Sequence, residues 1–81
     1  MADGTVEVHF FAAARAAVGT SQLSAPQGLL SAILDGIEAA HPGFAAVRPR
    51  CSYLVDETSA HGDVTVPGGS RVDVLPPFAG G

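Results

Sequence analysis

Apolar and polar residues alternate from the start of the chain. In "TVEVHFFA", Val6, Val8 and Phe10 fall on one face, with Glu7, His9 and Phe11 on the other. That period of two predicts a half-buried strand. Phe11 breaks the pattern, a large aromatic on the polar face. It either packs beneath a neighbouring loop or belongs to a surface that another protein covers. "AAARAAVG" is alanine-rich and ends on Gly19, which predicts a short helical turn with a glycine stop. "TSQLSAP" then predicts a brief second strand, cut off at Pro26.

The period changes in "GLLSAILDGIEAAHPG". Leu30, Ile33, Leu34 and Ile37 recur at steps of three and four, while Ser31, Asp35 and Glu38 take the opposite face. One amphipathic helix of roughly 13 residues is predicted. Its end is marked, because Pro42 disfavours helical geometry at His41 and Gly43 can supply a left-handed turn. Its start is poorly capped, since Gln27 and Gly28 are weak N-cap residues.

Alternation resumes in "RCSYLVDE", with Cys51, Tyr53 and Val55 against Ser52, Leu54 and Asp56. "TSAHGD" reads as a loop. "VTVPGGSRVDVL" holds a short strand, a turn at Pro67 to Gly69, and a last strand with Val72 and Val74 on one face. The order predicts an α+β fold: one main helix laid across a mixed sheet of four to five strands. A β-grasp arrangement suits that order, with the first and last strands paired in the middle.

Composition narrows the function. The 81 residues make one domain, with 47% hydrophobic and 15% charged residues, enough apolar material for a core. No apolar run is long enough to span a bilayer, and the acidic "MADGTVEV" start lacks a signal-peptide core, so a cytoplasmic protein without a membrane partner is expected. The net charge of −4 disfavours nucleic-acid binding. The four cations are Arg15, Arg48, Arg50 and Arg71; there is no lysine, so no side chain can receive an isopeptide bond. Cys51 is the single cysteine, and His9, His41 and His61 match no zinc spacing, so no metal is expected.

The remaining chemistry lies in "PPFAGG". Pro76 and Pro77 hold the backbone extended, and six residues reach roughly 19 Å at about 3.1 Å per residue. Phe78 offers one apolar anchor, after which Ala79, Gly80 and Gly81 shrink the cross-section toward bare backbone. The only reactive group at the tip is the α-carboxyl of Gly81. A carboxylate is a poor electrophile until adenylated; then a sulfur or nitrogen nucleophile can capture the acyl group. A frayed end without a role is the competing reading.

The segments "FFAAAR", "LLSAILDGIEAAHP" and above all "VDVLPPFAGG" resemble the family of molybdopterin synthase small subunits. These are sulfur carriers of the ubiquitin-like β-grasp superfamily, and the resemblance covers essentially the whole chain. It implies a β-grasp domain over residues 1–75 and an extended tail over 76–81. An adenylating enzyme related to the ubiquitin activators would use ATP to make an acyl-adenylate at Gly81, and sulfur transfer would give a thiocarboxylate there. The tail, Pro76, Pro77, Phe78, Ala79 and Gly80, would insert into the synthase large subunit within a heterotetramer. Gly81 would then donate sulfur to a cyclic pyranopterin phosphate, toward molybdenum cofactor. Alone the chain would be no enzyme and would hold no cofactor.

By the same resemblance, Phe11 and Leu75 match apolar positions that contact partners, and Arg15 matches a basic position after the first strand. Arg15 also reads simply as an exposed helix-end charge. One departure is the turn "PGGSRVDV", where the family usually has an acidic residue after glycine. Three alternatives stay open: a carrier for thiazole or cysteine synthesis, a ubiquitin-like protein modifier, and an interaction domain with an inert tail.

Overall fold

The computed structural model describes residues 4–77. Strand β1 (Thr5–Phe10) leads into helix α1 (Ala12–Val18), then β2 (Gln22–Pro26) and the two-residue β3 (Gly28–Leu29). Helix α2 (Leu30–Ala40) follows, then α3 (Phe44–Val47) and a 3-10 turn (Arg48–Arg50). Strands β4 (Ser52–Val55), β5 (Thr58–Ser59), β6 (Thr65–Val66) and β7 (Arg71–Leu75) complete the chain. The main sheet has five strands in the order β2-β1-β7-β4-β5, and β3 pairs with β6 beside it. β1 and β7 run parallel at the centre, and the other pairs are antiparallel. This is the β-grasp order that the strand–helix pattern predicts. Among the described residues no helix is long and apolar enough to cross a membrane.

Period-two patterning places Val6, Val8 and Phe10 of β1 and Val72 and Val74 of β7 on the inner face, all essentially sealed from solvent. α2 covers them with Leu30, Ile33, Leu34 and Ile37, each buried side chain contributing about 1.5–3 kcal/mol. Phe10 meets Phe44 of α3 edge to face at 6.1 Å, a favoured aromatic geometry. Gly19 takes φ +85° and ends α1 as its sequence position predicts.

The start of α2 is better held than its local sequence suggests. Asp63 reaches across from the β5–β6 loop and accepts from the Ser31 N–H (2.9 Å) and hydroxyl (2.6 Å). Leu30 N–H donates to the Val64 carbonyl at 2.8 Å. These bonds satisfy donors at the helix start from more than 30 residues away, beyond the reach of any local capping rule. Arg48 clips the other side, 2.8 Å from Asp35 and 3.2 Å from Glu38.

Three expectations need correction. The helix has 11 residues rather than 13, because Leu29 sits before it in extended geometry and stays exposed. "TSAHGD" is not wholly a loop: Thr58–Ser59 pairs with β4 as β5. The two residues between these strands, Asp56 and Glu57, take φ +47° and +68°, a turn usually signalled by Asn-Gly and therefore hidden here. Gly43 takes φ −61° and ψ −20°, right-handed rather than left-handed, and leads directly into α3.

Candidate functional site

The central parallel pair decides where the tail departs. Register matches His9 with Asp73 and Phe10 with Val74. One residue further, the Phe11 N–H donates to the Val74 carbonyl at 3.3 Å, so Phe11 arrives beside Leu75 where β7 ends. Phe11 is extended, and Ala12 then turns the chain into α1 with φ +49°, a cost for a residue bearing a Cβ. The Phe11 carbonyl accepts from Ala14 N–H (3.0 Å) and Arg15 N–H (3.4 Å), which anchors the helix start. Phe11 is left 39% exposed among strands whose inner face is sealed.

Leu75 lies opposite Ser52 of β4 and is half-buried, as is Pro76; Pro77 is exposed. Alternation sets Leu75 on the outer face, away from α2. Leu54 of β4 shares that face, opposite Asp73 and therefore diagonal to Leu75. Phe11, Leu75 and Leu54 thus form an apolar patch at the root of the tail. Leu54 was not singled out from sequence, although its signal matches that of Phe11: an apolar residue on an otherwise polar strand face.

Charged pairs border the patch on the same face. His9 Nε2 lies 2.8 Å from Glu7 Oε1, and Arg71 Nε donates to Asp73 Oδ1 at 2.7 Å. Asp73 is nearly buried between its strand neighbours. Arg15 is exposed on α1 and pairs with no acid among the described residues. The arrangement offers apolar docking with a polar frame, and the described part of the tail root holds no catalytic pair. The sequence-predicted residues Phe78, Ala79, Gly80 and Gly81 lie outside the described residues.

Other titratable groups serve the fold. Burial pushes the Cys51 thiol up, and its Sγ donates to the Val47 carbonyl at 3.3 Å, so it is a packed, protonated thiol. Burial likewise pushes the Tyr53 hydroxyl up to about 12 while it donates to the Arg48 carbonyl at 3.1 Å. The departing turn "PGGS" is tightly engaged. Gly69 N–H donates to the Thr5 carbonyl at 2.7 Å, and the Ser70 carbonyl accepts from Glu7 N–H at 3.0 Å. The Arg71 N–H and the Ser70 hydroxyl together hold the Asp56 carboxyl below its ordinary range. A carboxylate therefore does stand beside this turn, supplied by the β4–β5 connection. Among the described residues, no group of three or more His, Cys, Asp or Glu side chains could hold a metal ion.

Comparison with known proteins joins this geometry to a family. The ThiS family matches residues 8–81. No curated protein matches the chain. Among solved structures, the chain is similar to SAMP1 from Haloferax volcanii, with TM-score 0.84 and 20% identity over 96% of this chain and all of that one. It is similar to a putative molybdopterin converting factor subunit 1 from Pyrococcus furiosus, with TM-score 0.78 and 21% identity over 91% and 98% of the two chains. A third likeness is to a complex of subunits 1 and 2 of molybdopterin-converting factor from Helicobacter pylori, with TM-score 0.70 and 20% identity over 95% and 99%. The fold is the β-grasp shared with these neighbours, and the chain belongs to the ThiS family.

Proposed function

We propose that the protein carries sulfur as a thiocarboxylate on Gly81 and donates it within a molybdopterin synthase. In this reading the Gly81 carboxylate attacks the α-phosphate of ATP on an adenylating partner, and pyrophosphate leaves. Hydrosulfide then attacks the acyl carbon and AMP leaves, giving the thiocarboxylate without any change of oxidation state. The loaded tail enters a large subunit and passes sulfur to a cyclic pyranopterin phosphate. The domain supplies no catalytic side chain; it supplies aim. Binding free energy at the patch offsets the entropy lost when the tail is clamped, and the two prolines reduce that loss.

The observation that carries this reading is the tail root. β7, a central strand hydrogen-bonded on both sides, runs directly into Pro76, with Phe11 exposed beside it. Family membership and the likeness to a subunit 1 found in complex with its subunit 2 support the partner. The test is a variant lacking Gly81, assayed for sulfur transfer with the activating enzyme and large subunit. Transfer should vanish while Tm stays within about a degree of the parent. A variant that still transfers sulfur would refute the reading, and a large fall in Tm would make the tail structural.

A second reading uses the same carboxyl. SAMP1 is a small archaeal modifier protein, and its likeness supports a modifier in which a target lysine, rather than sulfur, captures the Gly81 acyl group. With no lysine of its own, this chain would be attached singly.

A further inference from the structure

The two edges of the main sheet are finished differently. β5 is two residues long and offers little to pair with, whereas β2 presents five. Natural sheets commonly blunt a long edge with charge or proline; "QLSAP" carries no charge, and its single proline stands at the last position, leaving the edge from Gln22 to Ala25 open. The β1–β2 register fixes which backbone groups face outward. Phe10 N–H donates to the Ser21 carbonyl (2.9 Å) and Gln27 N–H to the Gly4 carbonyl (2.8 Å). Alternation then turns the amides of Leu23 and Ala25 toward β1 and those of Gln22, Ser24 and Pro26 to the open edge. Among the described residues no strand pairs with that edge.

We propose that β2 is a self-association edge, at which a second copy of this chain pairs antiparallel about a two-fold axis through Ser24. That register is self-complementary. Ser24 of each copy exchanges both backbone bonds with Ser24 of the other. Gln22 N–H meets the carbonyl of Pro26 in the second copy. Pro26 has no N–H to return, and the carbonyl that would need it, Gln22 C=O, already accepts from Thr20 Oγ1 at 3.1 Å. The one mismatch in the ladder is thus satisfied inside each copy.

The side chains agree. On the inner face, Leu23 of one copy falls opposite Ala25 of the other, large against small. Between β2 and α2 runs a groove of about 350 Å³, walled on the helix side by Ala32, Ile33, Gly36, Ile37 and Ala40. The vacant space at Gly36 is on this wall. The groove and edge contain no carboxylate and no guanidinium. Two copies of a chain with net charge −4 can therefore meet here without opposing acids. The joined sheet grows outward from β2 and leaves Phe11, which follows β1 one strand in, and Leu75 of β7, two strands in, uncovered. Self-pairing and tail delivery are therefore compatible.

The test is sedimentation of the full chain across concentration, with Ser24→Asp and Ser24→Lys. The Ser24 side chain is exposed on the outer face opposite Glu7 of β1, so the fold of each variant is checked by Tm before dimerisation is compared. The parent should show a monomer–dimer equilibrium, and each variant alone should dimerise at least about tenfold more weakly, from like charges facing across the axis. Mixing the two variants should restore dimer. A parent that stays monomeric at millimolar concentration would overturn the proposal, leaving the edge to an extended segment of some other protein. So would a Ser24→Asp variant that dimerises as well as the parent.

Discussion

The same two central strands present two unlike faces. On the inner face, β1 and β7 set Val6, Val8, Phe10, Val72 and Val74 against α2 and α3, all at or below 2% exposure. On the outer face they set Glu7, His9, Arg71 and Asp73, paired with one another, and then Phe11 and Leu75 where the strands end. The inner face is apolar along its whole length and is satisfied within the chain. The outer face is apolar only at the tail root and is satisfied there by nothing among the described residues. In the proposed reading stability is concentrated on one face and recognition on the other, so substitutions on the two should have separable effects.

The largest expected effect is on the inner face. Phe10→Ala removes a ring packed against Phe44 and should cost about 3–5 kcal/mol in denaturant unfolding, enough to leave much of the domain unfolded. Gly68→Ala should come next. A Cβ there would stand 2.8 Å from the Gly4 backbone nitrogen, which only a main-chain shift can relieve, so about 1–3 kcal/mol is expected. Phe11→Asp breaks the comparison if it resembles either. It should change stability by less than about 0.5 kcal/mol yet weaken large-subunit binding about tenfold, roughly 1.4 kcal/mol. A collapse of the isolated domain would move Phe11 into the core and remove the distinction between the faces.

Two smaller effects sharpen the account. Glu57→Gly should stabilise by about 0.5 kcal/mol, because glycine adopts φ +68° without a Cβ penalty. Hydrogen bonds from the Ser31 hydroxyl and N–H hold the Asp63 carboxyl below its ordinary range, and Asp56 is held down likewise by Arg71 and Ser70. A depressed folded value means that their stabilisation is complete above the unfolded value near about pH 4 and is lost as pH falls through the folded value. Tm should therefore drop on acidification below about pH 4, and less steeply in Asp63→Asn.

Much of this was legible in the order of residues. Alternation gave the inner faces of β1, β4 and β7, and the three-and-four spacing gave the buried stripe of α2. The misplaced Phe11 was visible as an exception to its own strand. What stayed hidden depends on groups far apart in the chain. Asp63 caps a helix 32 residues away. Asp56 and Glu57 turn a hairpin in left-handed geometry without a glycine. The residues 44–50 fold into short helical turns whose hold comes from Phe44 in the core and from Arg48 on Asp35 and Glu38. Leu54 was assigned to the correct face, but only the β4–β7 register sets it diagonal to Leu75.

The central claim concerns Gly81, and intact mass tests it most directly. The Cys51→Ser form would be purified from the native host with the activating enzyme and large subunit present. Loading predicts a species heavier by one oxygen-for-sulfur exchange that a thiol reagent alkylates, which oxidation of a methionine would not permit. A carrier found only at its unmodified mass under those conditions would contradict the account.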